Sequence, residues 1–191
     1  MARNLGCGRV PGNLHKAPVR RTSRRMLNPS IRTIGLLCAL IAGAALGIAL
    51  ASERWGGLAP CALCLVERWP YRIAIVLGLL AVVVPPRAAR LLVMLAVLTV
   101  LAGAVIAFVH VGVEMHWWPS PLPECAAPTI SGGTITEQLG NMPARPAKPC
   151  DAPSYLIPGL PVSMATMDLI FALAFAAVLG TLLWRARGQP A

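Results

Sequence analysis

The chain has 191 residues, of which 57% are hydrophobic and only 13% charged, with a formal net charge of +10. Soluble globular domains carry roughly 25% charged residues, so with a mean hydropathy of +0.68 the first question is how many membrane spans the chain holds. The basic excess sits in the N-terminal tail and in short segments between apolar runs, as in a membrane protein with basic inside loops; this distribution argues against a nucleic-acid partner.

Residues 1–30 are basic and rich in proline, with Arg3, Arg9, Lys16, Arg20, Arg21, Arg24 and Arg25. This tail lacks apolar periodicity and is expected to be a disordered cytoplasmic segment; translation could also start downstream at Met26. The next run, residues 33–51, has 19 consecutive uncharged residues. That exceeds the 7–15 residues usual for the apolar part of a signal peptide, so it reads as a retained first span over about 31–51.

Span two is the weakest. Ile73–Val84 supplies only 12 uncharged apolar residues before Pro85 and Pro86. Its helix must begin near Leu65 and carry Glu67, Arg68 and Arg72 near the membrane edge, where ionisable residues are functional candidates. Span three is expected over about 91–111 and span four over about 164–184, opening with Asp168. Gly43, Gly47, Gly78 and Gly103 offer surfaces for close helix contact.

Orientation follows from charge. The tail through Arg32, the turn with Arg87 and Arg90, and the C-terminal end with Arg185 and Arg187 hold twelve basic and no acidic residues. The opposite side holds five basic residues and all seven acidic ones. The expected fold is therefore all-α: a four-helix transmembrane bundle over residues 31–185, with both termini cytoplasmic and a short tail at 186–191. Loop one (about 52–64) and loop two (about 112–163) face outward. The five tryptophans, Trp55, Trp69, Trp117, Trp118 and Trp184, all fall at predicted interfaces.

Of six cysteines, Cys7 lies in the tail and Cys38 in an apolar span, where a thiol acts as a small hydrophobe. The other four fall on the outer side, which permits disulfides. Cys61-Ala62-Leu63-Cys64 follows Pro60 and opens a helix, where amide donors and the helix dipole favour a thiolate. Arg68 lies four positions after Cys64 and seven after Cys61, on the same helical face. A guanidinium there would stabilise a sulfur anion or draw charge onto an acceptor; it could also simply snorkel outward.

Cys125 and Cys150 stand 25 positions apart in a proline-rich loop. They read either as a staple or as an exchangeable disulfide in an exposed, mobile arm. Thr134–Met142 fits a short amphipathic helix on the membrane surface. His110 and Glu114 share a face at the end of span three; His110 could contact an acceptor or shuttle a proton, or the two could satisfy each other.

With these pieces in place the chain resembles the disulfide bond formation protein B family (DsbB), quinone-dependent reoxidants of periplasmic dithiol oxidases. The similar elements are Pro60-Cys61-Ala62-Leu63-Cys64-Leu65-Val66-Glu67-Arg68, His110-Val111-Gly112-Val113-Glu114, Leu122-Pro123-Glu124-Cys125, Pro149-Cys150-Asp151 and Ser163-Met164-Ala165. The resemblance covers about residues 31–185 and omits the basic tail.

The resemblance implies a monomeric thiol oxidase of the bacterial inner membrane with ubiquinone or menaquinone as cofactor and a periplasmic thioredoxin-like dithiol oxidase as partner. Cys125 would form the mixed disulfide with the partner, and Cys150 would exchange with Cys61. Cys64 would be the quinone-facing thiolate, Arg68 would support it, and His110 would lie near the quinone. The alternative is a membrane metal-binding or transport protein using the four outer cysteines as soft ligands.

Overall fold

The computed structural model describes residues 29–125, 134–140, 148–157 and 159–186. The basic tail with Cys7, His15 and Met26 lies outside the described residues, as do Met142, Arg145 and Arg187. Among the described residues the chain is all-α. Four long helices, α1 (Ile31–Arg54), α2 (Ala62–Val83), α3 (Pro86–Glu114) and α5 (Met164–Ala186), form a bundle; a single 3-10 turn (Pro123–Cys125) and the short α4 (Ile135–Gly140) lie in the connection before α5.

Local chemistry fixes the helix ends. Ser30 caps α1, its hydroxyl accepting the Thr33 amide at 3.2 Å. Cys61 plays the same part for α2, so this helix starts three residues before the expected Leu65. Pro86 occupies the first turn of α3, where a missing N–H costs nothing, so the helix takes in Arg87 and Arg90 and begins ahead of the expected span. Within the 134–142 segment a helix forms over the six residues of α4, whose Ile135 is exposed.

Three helices, α1, α3 and α5, are long and apolar enough to cross a membrane. α2 is nearly as long but carries Glu67, Arg68 and Arg72. α2 packs between α1 and α3, and α3 packs on α5, while α1 meets α5 only lightly. The seam is built mostly from small side chains, including Ala42, Ala74, Ala81, Ala89, Ala96, Ala104, Ala172 and Ala176. Large apolar side chains such as Leu40, Ile48, Val76, Leu98, Val105 and Ile170 point outward instead. This inverts the soluble pattern and suits helices whose association rests on close packing in lipid.

Gly35 and Gly78 make the closest approach. A Cβ on Gly35 would stand 2.8 Å from the Gly78 carbonyl oxygen, and one on Gly78 would stand 2.6 Å from that of Gly35. Gly103 similarly admits Pro70, buried inside α2. A Cβ on Gly43 or Gly47 would meet no neighbour, so these two expected contact positions do not serve.

Candidate functional site

The site is assembled at the head of α2. The Cys61 sulfur accepts the Cys64 amide at 3.2 Å, an N-cap made by a thiol, and the two sulfurs lie 2.7 Å apart. Cys61 is buried and Cys64 half-buried. The unpaired amides of the first turn face the pair and favour negative charge on sulfur.

Helix α3 brings His110 to the same sulfur. Its Nε2 stands 3.5 Å from Cys61 Sγ, and its Nδ1 lies 2.8 Å from Glu67 Oε1. With Nδ1–H donated to the carboxylate, Nε2 is left as an acceptor facing the thiol. Cys61, His110 and Glu67 thus form a buried chain in which a base beside sulfur is oriented by an acid.

The expected pairing of His110 with Glu114 does not occur, because the imidazole meets Glu67 instead. Glu114 is engaged by the Ser163 hydroxyl at the start of α5, and His110 is not among the residues lining the cavity beside Cys64. The reason is spacing on α2: Glu67, six positions beyond Cys61, is carried to α3 at the height of the imidazole.

That cavity has a volume of about 80 Å³. Helix α2 lines it with Cys64, Glu67, Arg68 and Tyr71, and α5 with Met164, Ala165 and Asp168. It shares Ala45, Ala49, Met164 and Asp168 with an apolar groove of about 290 Å³ between α1 and α5. Arg68 and Cys64 therefore face one space, as their four-residue offset predicts. The guanidinium is nevertheless committed elsewhere: its Nη1 donates to Glu53 Oε2 at 2.8 Å, a partner supplied by the last turn of α1. On the far wall the Tyr71 hydroxyl donates to Asp168 Oδ1 at 2.6 Å.

The second pair is closed. Cys125 and Cys150 form a disulfide with their Cα atoms 5.0 Å apart, and the Cys150 amide donates to the Cys125 carbonyl at 3.4 Å. The expected exposed arm is not what the structure presents: Cys125 is 5% and Cys150 1% accessible. The disulfide is docked in one apolar cluster with Cys61, Leu63 and Val113, flanked by Cys64, Trp118 and Leu122.

A tight turn accounts for the docking. The His116 amide donates to the Val113 carbonyl and the Trp117 amide to that of Gly112, the paired bonds of a Schellman helix end. His116 takes the left-handed residue of this motif at φ 58°. The chain doubles back, Trp118 lies against Gly112, where any Cβ would collide with the indole, and its Nε1 donates to the Val109 carbonyl at 3.0 Å.

All four cysteines singled out in the sequence therefore gather in one cluster, with Arg68 and His110 next to it. Sequence reasoning did not find Glu53, Tyr71 or Asp168 as site residues, nor Glu67 as the partner of His110. An acid near the start of span four was the available signal for Asp168; the pairings depend on helix rotation and left none.

The sulfurs of Cys61 and Cys64 and a nitrogen of His110 lie within 4.8 Å of one another, a set that suits a soft metal ion. The four-thiolate set of the metal-binding alternative is not available, however, because two of its sulfurs are joined in the Cys125–Cys150 bond.

Residues 31–182 match the family described as disulfide bond formation protein DsbB. No curated protein and no solved structure matches the chain. The match covers most of the sequence, and the chain belongs to this family: it is a membrane thiol oxidase whose Cys61–Cys64 and Cys125–Cys150 motifs are consistent with a redox relay to quinone.

Proposed function

We propose that this DsbB-family chain crosses the bacterial inner membrane four times, with both termini cytoplasmic and both cysteine pairs at the periplasmic face. There it reoxidises a thioredoxin-like dithiol protein, using ubiquinone or menaquinone. The twelve basic residues on one side of the apolar runs support this orientation. The close fit of α2 between α1 and α3 supports its role as span two. Residues 1–30 form a basic cytoplasmic tail on this reading, and residues 186–191 a second one.

A dithiolate of the partner attacks Cys125, and Cys150 leaves. Cys150 then attacks Cys61, which its docking in the same cluster favours, and Cys64 is released toward the cavity. The partner's second thiol displaces Cys125 and leaves as a disulfide, and Cys125 closes back on Cys150 and frees Cys61. His110 takes the proton of Cys61 when the Cys61–Cys64 bond re-forms, with Glu67 holding the ring and balancing its charge. This assigns His110 to Cys61 rather than to direct contact with the quinone.

The chemistry of the cavity lining supports a quinone as the acceptor. A small compartment carries a thiol and a guanidinium donor, and it continues into an apolar groove suited to an isoprenoid chain. Cys64 and Arg68 would hold the head group, and the bound quinone supplies the two-electron acceptor. Because Glu53 shares the Arg68 charge, the guanidinium acts as a donor and partial counter-charge rather than as a free cation.

The observation that carries the proposal is the gathering of both pairs beside this cavity. Anaerobic titration of the purified protein with a reduced thioredoxin-like oxidase and a quinone tests it. Stoichiometric quinone reduction is expected, lost in Cys64→Ser, and Cys150→Ala should trap a partner adduct at Cys125. Quinone reduction that persists in Cys64→Ser, or an adduct that maps elsewhere, overturns it.

A further inference from the structure

Resting on this quinone reading, we infer that Asp168, held in place by Tyr71, is the acid that protonates the acceptor in the cavity. Three observations carry it. Asp168 lies where the thiol-bearing compartment and the apolar groove meet, lining both. Its Oδ1 is fixed by the Tyr71 hydroxyl at 2.6 Å, and Tyr71 is itself buried. Finally, the charged groups facing this space are already matched elsewhere: Arg68 with Glu53, and Glu67 with His110.

Asp168 is thus the cavity carboxyl that is bonded to a neutral hydroxyl. An uncompensated carboxylate beside an apolar groove is costly, which suits the group to carry a proton and to donate it. α1 contributes only Ala45, Leu46 and Ala49 to the compartment, so it brings neither a competing acid nor a base.

The balance is simple. The Cys61 and Cys64 thiols give up two electrons and two protons as their S–S bond forms, and the quinone takes up the same number. Asp168 passes one proton to a ring oxygen across the cavity and is recharged by the Cys64 thiol proton, while the Cys61 proton taken by His110 passes to bulk water, from which the second ring oxygen takes its own. After a turnover the carboxyl is unchanged. His110 serves the opposite end of the thiol pair, so base and acid stand on the two sides of the sulfurs. Tyr71 acts through Asp168 and is a positioning residue.

The test uses full-length protein in nanodiscs with decylubiquinone as the probe. Asp168→Asn should slow single-turnover quinone reduction by about 100-fold or more, the range of general acid catalysis. Its equilibrium dissociation constant for decylubiquinone should shift by less than about threefold, a limit that separates proton transfer from uniform binding. Asp168→Glu should recover most of the rate, and Tyr71→Phe should lose about tenfold. Independently of turnover, infrared difference spectra on decylubiquinone binding should show a carboxyl C=O band that Asp168→Asn removes.

A wild-type rate in Asp168→Asn, or a loss of rate matched by an equal loss of binding, overturns the inference. A C=O band that persists in Asp168→Asn overturns it as well. Failure of the parent reading looks different, because the unmodified protein would then neither bind nor reduce decylubiquinone.

Discussion

Replacing Glu67 with glutamine removes one negative charge from the Cys61–His110–Glu67 chain while keeping an acceptor for Nδ1. The bond it alters is 2.8 Å long and buried, with His110 2% accessible. A hydrogen bond to a charged group contributes roughly 1.5–3 kcal/mol. Each 1.36 kcal/mol is a tenfold change in rate, so a step in which positive charge develops on His110 should slow by about 10- to 150-fold. The assay is single-turnover oxidation of the Cys61–Cys64 thiols by quinone. A second measurement is the alkylation rate of Cys61 by iodoacetamide in a Cys64→Ala background, read at the Cys61 peptide by mass spectrometry. Both rates should fall together. His110→Asn combined with Glu67→Gln should cost little more than His110→Asn alone, because the two residues act as one unit. Rates within twofold of the parent, or fully additive losses, would refute the idea that Glu67 works through His110.

Other outcomes follow from the same geometry. Arg68→Met should weaken quinone binding by about tenfold, the scale of one lost charge-assisted hydrogen bond, whereas Glu53→Gln, which frees the guanidinium, should leave it intact or strengthen it; isothermal titration with decylubiquinone reads both. Gly78→Ala forces α1 and α2 apart against backbone atoms and should cost about 1–3 kcal/mol, measured as an earlier unfolding midpoint in detergent. Gly112→Val drives Trp118 off α3. The Cys125–Cys150 disulfide should then react faster with a soluble dithiol but pass electrons to Cys61 more slowly, as gel-shift kinetics of the two exchanges would show.

The sequence yielded the parts of this site that depend on one helix. Cys61, Cys64 and Arg68 share a face because four and seven residues are whole turns, and Pro60 marks where that helix begins. It also yielded the apolar runs of α1, α3 and α5, whose length alone satisfies a bilayer. What it did not yield depends on how two helices are rotated against each other. His110 has Glu114 one turn away on its own helix, yet it meets Glu67 on another. Arg68 read as a partner of sulfur or acceptor, and only the placement of Glu53 by α1 showed the carboxylate that shares its charge. The burial of Cys125 escaped for a related reason. Proline-rich composition predicts little regular structure, but the Schellman turn at His116 folds that irregular chain back onto the bundle. Gly43 and Gly47 show the reverse error, since small residues permit close packing without requiring it.

Arg68 borders two spaces at once. One is the cavity it shares with Cys64; the other is a recess of about 450 Å³ that it shares with Leu50, Glu53 and Arg54. The arginine and its glutamate therefore act as a bulkhead as well as an electrostatic pair. Trimming the side chain would join the two compartments, admit water to Cys64, and weaken the insulation that keeps electrons on their path to the lipid-borne acceptor.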